Sequence, residues 1–132
     1  MYWRCSLVTK IFIVGVGGFF GASLRYLIGG WVTQLTGESN FPYGTLAVNI
    51  IGCLAIGLIS GLAETRGLLT PEMHLLILTG VLGALTTFST FGYETANLVR
   101  MGESLPAMLN LSAQIILGLA AIWAGQRVSQ IL

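Results

Sequence analysis

Apolar residues run along this chain in long blocks, interrupted by polar stretches at 33–43, 64–72 and 100–106. The blocks that remain, at 11–32, 44–63, 73–99 and 105–131, each approach or exceed the roughly 20 residues a helix needs to cross a bilayer. Their edges carry helix punctuation. Pro42 and Gly44 precede the second block, Thr70-Pro71-Glu72 has the form of a capping residue with proline at the first helical position, and Pro106 opens the fourth. The pattern predicts an all-α integral membrane protein with four transmembrane helices, forming a single domain over 1–132.

Composition supports the same reading, because 55% of residues are hydrophobic and only 8% charged, too few charges to cover a water-facing surface. The net charge is +1 and the six basic residues are scattered, which excludes a nucleic-acid partner. Cys5 and Cys53 have no second thiol or histidine at metal-ligand spacing, so neither a disulfide framework nor a zinc site is expected. Arg4 and Lys10 ahead of an apolar run resemble a signal peptide, but no A-x-A site follows and the run resumes past Arg25. A retained first span fits better. Arg4, Lys10, Arg66 and Arg127 fall on one side of the predicted membrane and Arg100 on the other, a weak orientation bias. Such a chain can insert both ways, and opposed copies can pack as an antiparallel pair.

Several of the 18 glycines recur at four-residue spacing, as in Gly17 with Gly21 and Gly57 with Gly61, the pattern that lets helix backbones approach in lipid. In the second block Thr45, Asn49, Cys53, Gly57 and Gly61 share one helical face, which should meet protein. Tight packing without further function accounts for most of these glycines.

The third block is longer than a span requires and holds Gly83-Ala84-Leu85-Thr86-Thr87-Phe88-Ser89-Thr90-Phe91-Gly92, with four hydroxyl residues together. The hydroxyls can fold back on helix carbonyls, or the helix can break and line a cavity, where non-helical backbone is tolerated at membrane depth. The break is the favoured expectation. Phe88 and Phe91, three apart, project to similar sides. Their ring edges are positive and can meet an anion, although packing is the commoner use of phenylalanine. Asn49 offers two amide hydrogens, to an anion or to a neighbouring helix. Asn110 and Gln114 make an i, i+4 polar face in the fourth block, with Gly118 beyond. Arg25, inside the first block, either gathers anions at a vestibule or snorkels to the interface. Glu94 is placed to pair with a base or to gate access. His74 stands at a span entrance and is read as interfacial.

Three stretches, Gly18 through Tyr26, Gly44 through Gly52 and Gly83 through Phe91, resemble the signature patterns of the Fluc (CrcB) fluoride channels. The resemblance covers essentially the whole chain. It implies passive, fluoride-selective export across the cell (inner) membrane, protecting the cell from fluoride toxicity, by an antiparallel dual-topology homodimer with two pores. It implies that Phe88 and Phe91 contact fluoride by their ring edges, that Asn49 is a pore amide, and that Ser89 and Thr90 are hydroxyls near the path. It assigns Arg25 to the vestibule, and the backbone carbonyls of Gly83 and Thr86 to a structural sodium ion at the dimer interface. In the fourth span the family commonly offers Tyr and Ser, where this chain has Asn110 and Gln114.

The alternative is a small dual-topology multidrug-type transporter, but proton-coupled export of cations needs a buried carboxylate. The first span has none, and of the five acidic residues only Glu94 can be embedded. An enzyme needs a nucleophile with a base or metal ligands, and the lone His74 is far in sequence from the hydroxyl cluster.

Overall fold

The first helix begins where Ser6 accepts a hydrogen bond from the Thr9 amide and ends at Gly37, whose φ of 73° stops it. It is α1 (Leu7–Thr36), whose 30 residues are about 45 Å long at 1.5 Å per residue. The computed structural model describes residues 6–37, 40–67 and 69–132, so Arg4, Cys5 and Glu38 lie outside the described residues. α2 (Tyr43–Arg66) closes on the left-handed Gly67, whose amide returns to the Ala63 carbonyl. Thr70 caps the next helix through the Met73 amide, with Pro71 in its first turn.

That third segment, Pro71–Arg100, is two helices in line: α3 (71–85) and α4 (Phe88–Arg100). After a tight turn at Gly102, α5 (Ser104–Ile131) returns, with Pro106 in its first turn. All the regular structure among the described residues is helical, and four segments are long and apolar enough to span a membrane. The helices extend past the predicted spans because hydropathy marks only the part matching the hydrocarbon, while the backbone keeps its ladder through polar residues such as Thr33 and Gln34.

Two glycine seams set the packing. α2 lies along α5, and a methyl group on Gly57 would strike the Ile122 carbonyl, one on Gly61 the Ser129 side chain, and one on Gly125 the backbone of α2 at Leu54 and Leu58. α1 lies on α3 in the same way, with Gly17 on Leu76 and Gly80, and Gly21 on Val81 and Ala84. Here α3 is π-helical over Leu75–Leu82, a rare backbone form found mostly at functional sites. The predicted face of α2 meets protein throughout, since Thr45 and Asn49 bond across it and Cys53 lies against Gly118. Large apolar side chains such as Phe12, Phe19, Trp31, Ile116, Leu119 and Trp123 point outward.

Candidate functional site

The break between α3 and α4 falls at two threonines. Thr86 and Thr87 take extended backbone (ψ 156° and φ −150°, ψ 116°), as expected for a glycine and hydroxyl cluster in an overlong span. Thr86 closes α3, with its amide and its hydroxyl both donating to the Leu82 carbonyl at 3.1 Å. Thr87 then caps α4, its Oγ1 accepting from the Thr90 amide at 3.3 Å and donating to the Thr90 hydroxyl at 2.9 Å.

α2 holds the break from the side. Asn49 Oδ1 accepts from the Thr87 amide at 2.8 Å, while its Nδ2 donates to the Thr87 carbonyl at 3.1 Å and to Gln114 Oε1 at 2.9 Å. Three residues along the same face, Gly52 leaves room for the Thr86 methyl, which any side chain there would strike. At the far end of the motif Gly44 crosses Gly29 of α1, where a methyl group would sit 2.6 Å from the Gly29 carbonyl oxygen. The stretch Gly44 through Gly52 thus seats α2 on α1 and on the break.

The break frees the carbonyls at the end of α3, those of Gly83 and Thr86 among them. In an unbroken helix the Thr87 amide would bond the Gly83 carbonyl and the Thr90 amide the Thr86 carbonyl. Both amides are diverted, one to Asn49 and one to the Thr87 hydroxyl. Gly83 and Thr86 are thus among the carbonyls with no helical amide to accept, and they are the two positions at which the resemblance implies a sodium ion. Among the described residues no group of three or more His, Cys, Asp or Glu comes together as an alternative metal site.

A cavity of about 380 Å³ opens beside the break, lined among others by Asn49, Gly83, Thr86, Phe88, Phe91 and Gln114. The two phenylalanine rings meet edge to face, with centroids 5.4 Å apart and planes at 68°. Phe91 is buried (7% exposed), whereas Phe88 is 83% exposed and Ser89 and Thr90 lie beside it on the surface. A second cavity, of about 360 Å³, is lined by Arg25, Thr45, Thr87 and Thr90. Thr87 lines both cavities.

Glu94 finds a hydroxyl and not a base, its Oε1 accepting from Thr45 at 2.7 Å while Oε2 is buried without a partner. Asn110 is 0% exposed and donates to the Thr95 hydroxyl at 2.9 Å, with Oδ1 unpaired, and it lines neither of these two cavities. Gln114, one turn on, is a residue lining the larger cavity, and its Nε2 is buried with no partner among the described residues. The residues that sequence reasoning left without a role are Thr87, which lines both cavities, and Gly52. Their only sequence signals are the hydroxyl run and the spacing from Asn49.

The profile of the CrcB-like (camphor resistance) family matches residues 12–126 of the chain. A protein of Maridesulfovibrio salexigens called a fluoride-specific ion channel is 46% identical over 123 residues, covering 93% of this chain and 97% of the relative. Proteins of the same description from Nitratidesulfovibrio vulgaris and Clostridium novyi are 42% and 44% identical, covering 89% and 90% of this chain and 94% and 92% of their own lengths.

Proposed function

Because this chain belongs to the CrcB-like family, we propose that it is a fluoride-selective ion channel, which lets fluoride leave the cell passively and so lowers its toxicity. It is a multi-pass membrane protein and not an enzyme. The multidrug-type alternative gives way to the family match. The observation that carries the channel reading in the structure is the break at Thr86–Thr87, held open inside a segment of membrane-spanning length.

Fluoride gathers at the cavity where Arg25 lies and exchanges water for weak contacts as it passes the break. Those contacts are the hydroxyls of Ser89 and Thr90, the Gln114 amide, and the ring edges of Phe88 and Phe91. No single one is strong enough to trap the ion, and conduction requires that. Glu94 sits at the rim of this route, tied to Thr45.

The working unit in this reading is an antiparallel homodimer in the cell (inner) membrane. Its support is that Gly83, Phe88, Ser89 and Thr90 are all exposed on the single chain, so a path using them needs a second copy to enclose it. The weak charge bias fits two opposed orientations. Gly83 and Thr86 of each copy would hold a shared sodium ion through their carbonyls, and that ion when bound neutralises the clustered carbonyl dipoles. The test is expression in bacteria lacking their own fluoride exporters. The chain should restore growth on fluoride and Phe88→Ile should not; failure of the well-expressed wild-type chain to rescue would count against the reading.

A further inference from the structure

All three hydrogen-bonding capacities of the Asn49 side chain that the structure uses are spent inside the protein: one acceptor and both donors. The orientation of this amide is not arbitrary. A backbone N–H can only donate, so the Thr87 amide fixes Oδ1 of Asn49 toward itself and turns Nδ2 toward the Thr87 carbonyl and Gln114. Asn49 Nδ2 in turn requires an acceptor, so Gln114 must present Oε1 to it. The consequence is forced, because Gln114 Nε2 faces away and is left as a buried donor with no partner, on a residue that lines the cavity beside Phe88 and Phe91. An unpaired buried donor is costly unless something fills it.

We propose that Asn49 is a positioning residue, a latch that holds the break open and sets the polarity of Gln114, and that the amide donor offered to the passing anion belongs to Gln114. The inference rests on the channel reading but divides the labour within it. Two hydrogen bonds clamp the Thr87 peptide and stop its amide from rejoining the Gly83 carbonyl. The third passes the orientation of that peptide to α5. A hydroxyl at position 114 could rotate to donate or accept, whereas a primary amide oriented this way has only donors left unspent. That suits a small, strongly hydrated anion.

The test uses full-length protein in lipid, with two readouts. One is fluoride efflux from liposomes, and the other is hydrogen–deuterium exchange over the peptide 83–91 in nanodiscs. Asn49→Ala should lower efflux at least tenfold and change exchange over 83–91, because Thr87 regains its helical acceptor. Gln114→Glu keeps an oxygen for Asn49 and places a second oxygen where the donor stood. It should lower efflux at least tenfold with exchange over 83–91 unchanged. Should Asn49→Ala not fold, Asn49→Asp still accepts the Thr87 amide but draws Gln114 Nε2 to itself, and efflux should again fall at least tenfold. Asn49→Ala with lost efflux but wild-type exchange would overturn the latch and make Asn49 the direct donor. Efflux within twofold of wild type for Gln114→Glu would overturn the donor assignment, and the same result for Asn49→Asp would overturn the coupling between the two amides. If the wild-type chain passes no fluoride, the channel reading fails while the exchange comparison still decides the latch.

Discussion

Replacing Gly21 by alanine places a methyl group on the Val81 carbonyl, 2.9 Å from the carbonyl carbon and 3.0 Å from the Ala84 Cβ. Backbone atoms cannot turn aside as a flexible side chain can, so α1 and α3 must separate or bend. Overpacking of this kind costs about 1–3 kcal/mol. Gly15 lies in the same helix with nothing within 4 Å of an added methyl group, and serves as the reference. Alanine relieves both sites of glycine's poor helix propensity, about 1 kcal/mol, so the difference between the two variants isolates the steric term. At 1.4 kcal/mol per tenfold, that term shifts the unfolding equilibrium by about 5-fold to 140-fold. Reversible unfolding in mixed micelles, followed by far-UV circular dichroism, measures it directly. Gly15→Ala should be as stable as wild type or more so, and Gly21→Ala less stable than Gly15→Ala by about 1–3 kcal/mol. Equal stability of the two variants would refute the close approach of α1 to the end of α3. Because Val81 and Ala84 lead directly into the break, Gly21→Ala should also slow fluoride efflux, and Gly15→Ala should leave it unchanged.

Phe91→Ala should cost about 3–5 kcal/mol in the same unfolding assay because its ring is buried, whereas Phe88→Ala, at an exposed site, should fold normally and lose most of its efflux. Arg25→Ala should lower fluoride efflux chiefly at low ionic strength; the deficit should shrink as the Debye length falls from about 30 Å at 0.01 M to about 10 Å at 0.1 M salt. An equal deficit at every ionic strength would show that Arg25 acts by contact and not by attraction. Replacing sodium with a bulky organic cation should weaken the dimer, read by size-exclusion chromatography with light scattering, and Gly83→Pro should reproduce that loss in the presence of sodium.

What could be read from the sequence was whatever a local pattern determines. Span lengths follow from unbroken apolar runs, and α1 through α5 contain the predicted blocks at all four spans. The break was legible because Thr86 and Thr87 are weak helix residues beside Gly83 in a segment with length to spare. That this face of α2 meets protein was legible from Gly57 and Gly61, since small residues permit close approach, but that α5 is the partner was not. The π-helical stretch Leu75–Leu82 was not, because the apolar residues there would suit an α-helix equally; the register change has no compositional mark. Nor was the partner of Asn49. Its amide was equally suited to an anion or to another helix, and the choice rests on Thr87, 38 residues away, and Gln114, 65 residues away. Glu94 was open to pairing with a base, and the hydroxyl of Thr45, on a helix 49 residues distant, took that place.

Selective fluoride conduction by this chain is read from efflux out of liposomes bearing the purified protein, followed with a fluoride electrode and compared with chloride. Rapid fluoride loss, with sodium present, is expected from vesicles that retain their chloride. Equal loss of both anions would contradict the selectivity, and no fluoride loss from a verified, folded dimer would contradict the channel itself.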